Sequence, residues 1–193
     1  SFSLTFFFFF MLIRKATPND SPFIAYYLLL AMEEIIYEFI GEKDPQKALD
    51  FLLYFAQREN NQYSYQNCWV AEEDEVIAAI NIYDGSQLSA LRKPIAAYIK
   101  MQHGKDFNPE DETKAGEFYI DSFGVNPNQQ GKGIGSKMLQ FLIDEYVVKN
   151  QQTIGLLVEE NKPAAKKLYL KLGFKSVGFK MLVGETLEHL QIN

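Results

Sequence analysis

Residues 125–135 read Val-Asn-Pro-Asn-Gln-Gln-Gly-Lys-Gly-Ile-Gly, and no other stretch constrains the fold as much. It follows an apolar, alternating run at residues 117–125 and precedes an amphipathic run at 135–149, where Met138, Leu139, Leu142, Ile143 and Tyr146 recur at helical spacing. The order is therefore strand, turn, helix. Gly131, Gly133 and Gly135 alternate at the junction, so successive backbone N–H groups can turn toward one point, where the positive end of the helix also acts. Such a junction holds a pyrophosphate or is a plain Gly-rich connection, and other parts of the chain must decide between the two.

The remaining punctuation is consistent with this core. Leu12–Lys15 reads as a short strand. Thr17-Pro18-Asn19-Asp20 then carries the marks of a helix start: a capping Thr, Pro at the first helical position and an acid three residues after the cap. A helix is expected to Gly41 and a second over residues 45–58. Runs at 68–71 and 76–83, joined by Glu72-Glu73-Asp74-Glu75, predict a hairpin. Residues 86–114 read as a helical stretch to about Gln102 and a polar loop. Within 117–125, alternation places Phe118 and Ile120 on one face and Tyr119, Phe123 and Val125 on the other, with Asp121 beside Tyr119 and Phe123. A strand at 153–158, a helix at 163–172 stopped by Gly173, and strands at 175–183 and 186–192 complete the pattern. Early hairpins followed by strand, helix, strand, helix predict an α/β (α+β) fold with a mixed, mostly antiparallel sheet flanked by helices.

A chain of 193 residues is long enough to bury about 70% of the surface its unfolded form exposes. Its longest apolar runs fall short of the roughly 18 residues that span a bilayer. A net charge of −6 opposes general attraction to nucleic acid or to an anionic membrane, so neither is expected as a partner, and an anionic ligand must be caught locally. One cysteine, Cys68, and two distant histidines, His103 and His189, offer neither an internal disulfide nor metal-ligand spacing, so no metal is expected, and a cytoplasmic setting is. Residues 1–10 are expected to come from an upstream start or an artificial extension, leaving 11–193 as a single domain that is monomeric or homodimeric.

Two nucleotide-binding signatures can be tested against the turn. A Walker loop needs Gly, four residues, then Gly-Lys-Ser/Thr, and no such run exists. A dinucleotide fingerprint begins at Gly131 and Gly133, but Ser136 stands where its third glycine belongs. The pattern that fits is Gln-x-x-Gly-x-Gly at Gln130, Gly133 and Gly135, which resembles the signature of the GNAT N-acetyltransferase superfamily. Phe123-Gly124-Val125-Asn126-Pro127 is similar to that family's preceding strand end. A second block, Asn161, Ala165, Leu168-Tyr169 and Gly173-Phe174, resembles its later segment. Asn161 stands eight residues before Tyr169, where members commonly have seven, so the extra residue must be absorbed near Lys162-Pro163.

The resemblance implies a sheet splayed between its fourth and fifth strands and acetyl-coenzyme A as cosubstrate. Phe123, Gly124 and Val125 would bond the pantetheine arm, and Gln130, Gly131, Lys132, Gly133, Ile134, Gly135 and Ser136 would hold the pyrophosphate, with Asn161 and Ala165 as further contacts. Tyr169 is the implied proton donor to the departing thiolate. Asp121 is a candidate base because apolar neighbours can raise its pKa; Glu117 or a water are alternatives. The implied function is acetyl transfer to a primary amine of a small molecule or peptide. A coenzyme A-binding module without catalysis is the alternative. Residues 26–58 and 86–114 would shape the acceptor side.

Overall fold

The computed structural model describes residues 10–182 and 184–193, so residues 1–9, most of the expected leading segment, lie outside the described residues. Strand β1 (Leu12–Lys15) leads into a short 3-10 turn at Pro18–Asp20 and helix α1 (Ser21–Ile40). The capping signal acts here, since the Thr17 backbone N–H donates to Asp20 Oδ2 at 2.7 Å and Arg14 forks onto the same carboxylate at 2.7 and 2.9 Å. Gly41, at φ +71°, ends α1. Helix α2 (Pro45–Ala56) starts on Asp44, whose side chain accepts from the N–H groups of Gln46 and Lys47.

Strands β2 (Cys68–Glu72) and β3 (Val76–Asp84) form the expected hairpin, followed by α3 (Leu88–His103), β4 (Phe118–Val125) and α4 (Ile134–Leu142). The single helix expected over 135–149 instead widens into a π-helical segment, Ile143–Lys149. Strand β5 (Ile154–Glu159), α5 (Pro163–Leu172), β6 (Lys175–Leu182) and β7 (Glu185–Ile192) follow. The seven strands make one sheet in the order β1-β2-β3-β4-β5-β7-β6, antiparallel at every pair except the parallel β4–β5. None of the described helices is long and apolar enough to cross a membrane.

Apolar side chains sort the helices to two faces. Helices α1, α2 and α3 bury Ile24, Leu28, Ile36, Leu52, Phe55, Ile95 and Ile99 on one. Helix α4 buries Met138, Leu139 and Leu142 on the other, with Ala165 and Leu168 of α5 beside them. The 86–114 segment is thus no free insertion: α3 carries fully buried Ile95 and Ile99, and only the stretch after Gly104 is loop.

The strand that positions the site departs from simple alternation. In the β3–β4 ladder Asn81 pairs with Ser122 and Ile82 with Ile120, so Asp121 is an extra residue. This bulge corrects the expected faces. Phe123 and Val125 share the α4 side with Phe118 and Ile120, while Tyr119 and Asp121 lie on the α3 side. Past the bulge, Gly124 turns toward α1, whose Tyr27 carbonyl oxygen would lie 2.0 Å from a Cβ at that position.

Candidate active site

Strands β4 and β5 pair only at Phe118↔Ile154, Tyr119↔Gly155 and Ile120↔Leu156. Beyond Ile120, β4 continues to Val125 and β5 to Glu159 without pairing to each other, which opens a wedge at their C-terminal ends. Backbone groups on the facing edges of that wedge are free to hydrogen-bond an extended ligand laid between them. Phe123, Gly124 and Val125 form its β4 wall.

The wedge leads into the Gly-rich turn. Asn126 Oδ1 accepts from the Asn128 N–H at 2.9 Å, fixing the bend after β4. Gly131 and Gly133 have φ of +80° and +75°, and nothing lies within 4 Å of where a Cβ at either would sit. The space beside the backbone is open, as close approach by a phosphate requires. The first helical hydrogen bond runs from Lys137 N–H to the Gly133 carbonyl, so the N–H groups of Ile134, Gly135 and Ser136 have no partner within the helix. They point out of the positive end of α4, as an anion site needs. Gln130 and Lys132 are exposed on the turn, and Lys132 Nζ donates to Gln129 Oε1 at 2.9 Å. The Phe123 ring lies under the start of α4, 3.4 Å from the Cβ position of Gly135. These residues fit a pyrophosphate followed by an extended arm, and coenzyme A carries both.

Helix α5 bounds the other side. Asn161 and Lys162 lie in the turn before it, where Lys162 N–H donates to the Glu159 carbonyl at 3.1 Å. Ala165 and Tyr169 pack on the apolar cluster that also contains Phe123, Val125 and Ile134. The Tyr169 ring meets Phe174 edge-on at 5.8 Å, and burial pushes its hydroxyl pKa up, which keeps the proton on oxygen at neutral pH. Among the described residues that hydroxyl has no hydrogen-bond partner.

Asp121 stands on the opposite face from Tyr169. Its Oδ2 accepts from Gln62 Nε2 at 2.7 Å and from the Tyr83 hydroxyl at 2.8 Å. Burial pushes its pKa up, against those two hydrogen bonds and the Arg92 charge. Sequence patterning missed its neighbour, Glu112. Arg92 of α3 donates to the Pro109 and Glu110 carbonyls and to Asp111 Oδ1, and Lys180 of β6 donates to the Asp111 and Glu112 carbonyls. These contacts clamp the loop that carries Glu112. Burial first, then the Asp121 charge, push Glu112 up to about 8, opposed by Arg92 and Lys180. A raised carboxyl pKa costs stability as pH rises from the ordinary 4.5 to about 8 and no further above it. Thermal melts across that range should therefore show Glu112→Gln gaining on the parent as pH rises to about 8, then holding a constant difference.

Glu117, the other candidate base, is closed off. Its carboxylate accepts from Thr113, His189 and Gln191, and only 5% of the residue is exposed. Glu33 and Glu34 on α1 are also engaged, the first with the Tyr37 hydroxyl and the second with Lys43.

Comparison with known proteins gives the family and the fold. Residues 29–174 match the acetyltransferase (GNAT) family. The chain is 34% identical over 70 residues to the spermine/spermidine N(1)-acetyltransferase of Bacillus subtilis (strain 168), a stretch covering 36% of this chain and 46% of that protein. It is 24% identical over 125 residues to the N-acetyltransferase 9-like protein of Caenorhabditis elegans, covering 62% of this chain and 60% of that one. The match thus spans less than two thirds of either relative. A crystal structure of an acetyltransferase superposes with a TM-score of 0.77 at 30% identity, over 93% of this chain and 97% of the other. An N-acetyltransferase from Staphylococcus aureus Mu50 shares the fold, with a TM-score of 0.78 at 24% identity over 94% and 100% of the two chains.

Proposed function

The chain belongs to the GNAT acetyltransferase family, and we propose that it transfers the acetyl group of acetyl-coenzyme A to a primary amine. The observation that carries this reading is the unpaired wedge between β4 and β5, which runs into a Gly-rich turn with open space and unpartnered helix N–H groups. The cosubstrate supplies an acetyl thioester, whose carbonyl carbon is the electrophile. Residues 130–136 hold the pyrophosphate, Phe123 to Val125 bind the pantetheine arm along the β4 edge, and Asn161 in the turn before α5 and Ala165 within it close the site.

Tyr169 approaches from the α4–α5 face and gives its proton to the departing sulfur. Asp121, held by Gln62 and Tyr83, approaches from the α3 face and offers its carboxyl to an acceptor that arrives as an ammonium. The two roles fall on opposite faces of the sheet, and the splay is the opening between them. Loop residues 104–114, clamped by Arg92 and Lys180, belong to the acceptor side. Similarity to a spermine/spermidine acetyltransferase makes polyamines the first acceptors to try.

The test is release of free thiol from acetyl-coenzyme A with a panel of primary amines, run beside tertiary amines that cannot form a neutral amide. Release with a primary amine only supports the reading. Equal background release with every amine, or none, would refute it.

A further inference from the structure

A carboxylate–imidazole pair lies on the α3 face, beside the residues assigned so far. Glu117, one residue ahead of β4, accepts from Thr113 Oγ1 at 2.6 Å, from Gln191 Nε2 at 2.7 Å and from His189 Nε2 at 2.7 Å. To reach β7 it crosses β5 at Gly155, where a Cβ would sit 1.8 Å from Glu117 Oε2. Glycine is required at that crossing. A carboxylate accepts and does not donate, so in the neutral imidazole Nε2 carries the hydrogen and Nδ1 keeps its lone pair. Nδ1 has no hydrogen-bond partner among the described residues.

Strand register locates His189 relative to the splay. His189 pairs with Leu157, and Leu157 is the first β5 residue beyond the last β4–β5 pair, Ile120↔Leu156. Leu157 packs with Tyr83, Leu88 and Tyr119, so it faces α3. Directly paired residues share a face, so His189 does too. It therefore lies across β5 from the wedge, level with the first unpaired β5 residue, on the face opposite Tyr169. A cleft of about 190 Å³ opens over it, bounded by residues 114–117, by Val177 to Lys180 of β6, and by His189 and Gln191. The charged groups facing the imidazole are Glu117, Lys114 of the loop and Lys180 of β6.

Resting on the acetyl-transfer reading, we propose that His189 takes the proton of the acceptor ammonium and that Glu117 is its positioning residue. One ammonium N–H bond breaks, the proton goes to Nδ1, and the electron pair stays on nitrogen. That pair forms the new carbon–nitrogen bond as the carbon–sulfur bond breaks. Tyr169 protonates the sulfur, and the proton shed by the new amide nitrogen replaces it on Tyr169. One proton per turnover leaves through His189. This division leaves Asp121 to hold the acceptor's charge.

His189→Gln tests this directly, because its side-chain amide can still donate to Glu117 while it cannot take a proton. The expected result is a fall in kcat of about 10²-fold, the lower end for losing a general base, with loss of the acid limb of the pH–rate profile. Imidazole added to His189→Ala should restore part of the rate. Independently of turnover, nitrogen NMR of the free protein should find His189 protonated at Nε2 and not at Nδ1 when neutral, and Glu117→Gln should mix the two tautomers. An acid limb that persists in His189→Gln and vanishes in Asp121→Asn would overturn the proposal and give the proton to Asp121. So would an Nδ1-protonated tautomer in the parent. A parent inert toward every amine overturns the acetyl-transfer reading and this proposal together, whereas an active parent matched by His189→Gln overturns this proposal alone.

Discussion

Tyr169→Phe is expected to lower kcat by about 10²-fold while leaving acetyl-coenzyme A affinity nearly unchanged. The Phe ring keeps the packing against Phe174 and the apolar cluster around Ala165 and Leu168, so neither fold nor binding should suffer. Only the hydroxyl is lost. In the parent that hydroxyl has a pKa raised by burial, so it stays protonated through neutral pH and loses activity only when the proton leaves at high pH. The alkaline limb of the rate profile should therefore disappear or move in the variant. The check is kcat across pH, with single-turnover rates to separate chemistry from product release. An unaltered rate and limb would leave Tyr169 with packing alone.

Gly133→Asp is expected to remove nearly all of the stabilisation that acetyl-coenzyme A gives the parent. A ligand bound only to the native state at about 100 times its Kd adds about 2.7 kcal/mol, which a thermal melt reads easily. The substitution acts twice on the site. It puts a side chain into the open space beside the turn, at a φ of +75° that side chains adopt reluctantly, and it sets a carboxylate at the helix end where the pyrophosphate belongs. Gly133→Ala separates the two effects, since it carries the backbone strain without the charge and should keep part of the shift. A folded Gly133→Asp chain stabilised as much as the parent would move the phosphate site elsewhere.

The Gly-rich turn was legible in the sequence as a strand-to-helix junction because its signals are local. The turn, its glycines, the helix start at Thr17 and the stop at Gly41 each depend on a handful of adjacent residues, and the structure forms them at those positions. Asp121 shows where local reading ends. One extra residue in β4 leaves the alternation looking intact from Phe118 to Val125 yet reverses its faces, and only the partner strand reveals the shift. Glu112 was hidden for a related reason, since its environment is set by Arg92 on α3 and Lys180 on β6, far away in the chain. His189 had even less to mark it. A lone histidine in an alternating strand carries no motif, and its partner Glu117 lies 72 residues earlier. Gly155 was the one available clue, a glycine inside a strand of otherwise bulky residues, which signals a close approach.

The wedge, the turn and the two faces of the sheet combine into one claim: this chain joins an acetyl group to an amine nitrogen. Mass spectrometry of primary amines, polyamines foremost, after incubation with the protein and acetyl-coenzyme A measures that bond itself. The account predicts a product heavier by one acetyl group, in step with free coenzyme A and about 10²-fold scarcer with Tyr169→Phe at matched times. A protein that binds acetyl-coenzyme A, is stabilised by it, and yet forms no amide with any amine tried would contradict it and would make this fold a coenzyme A-binding module without catalysis.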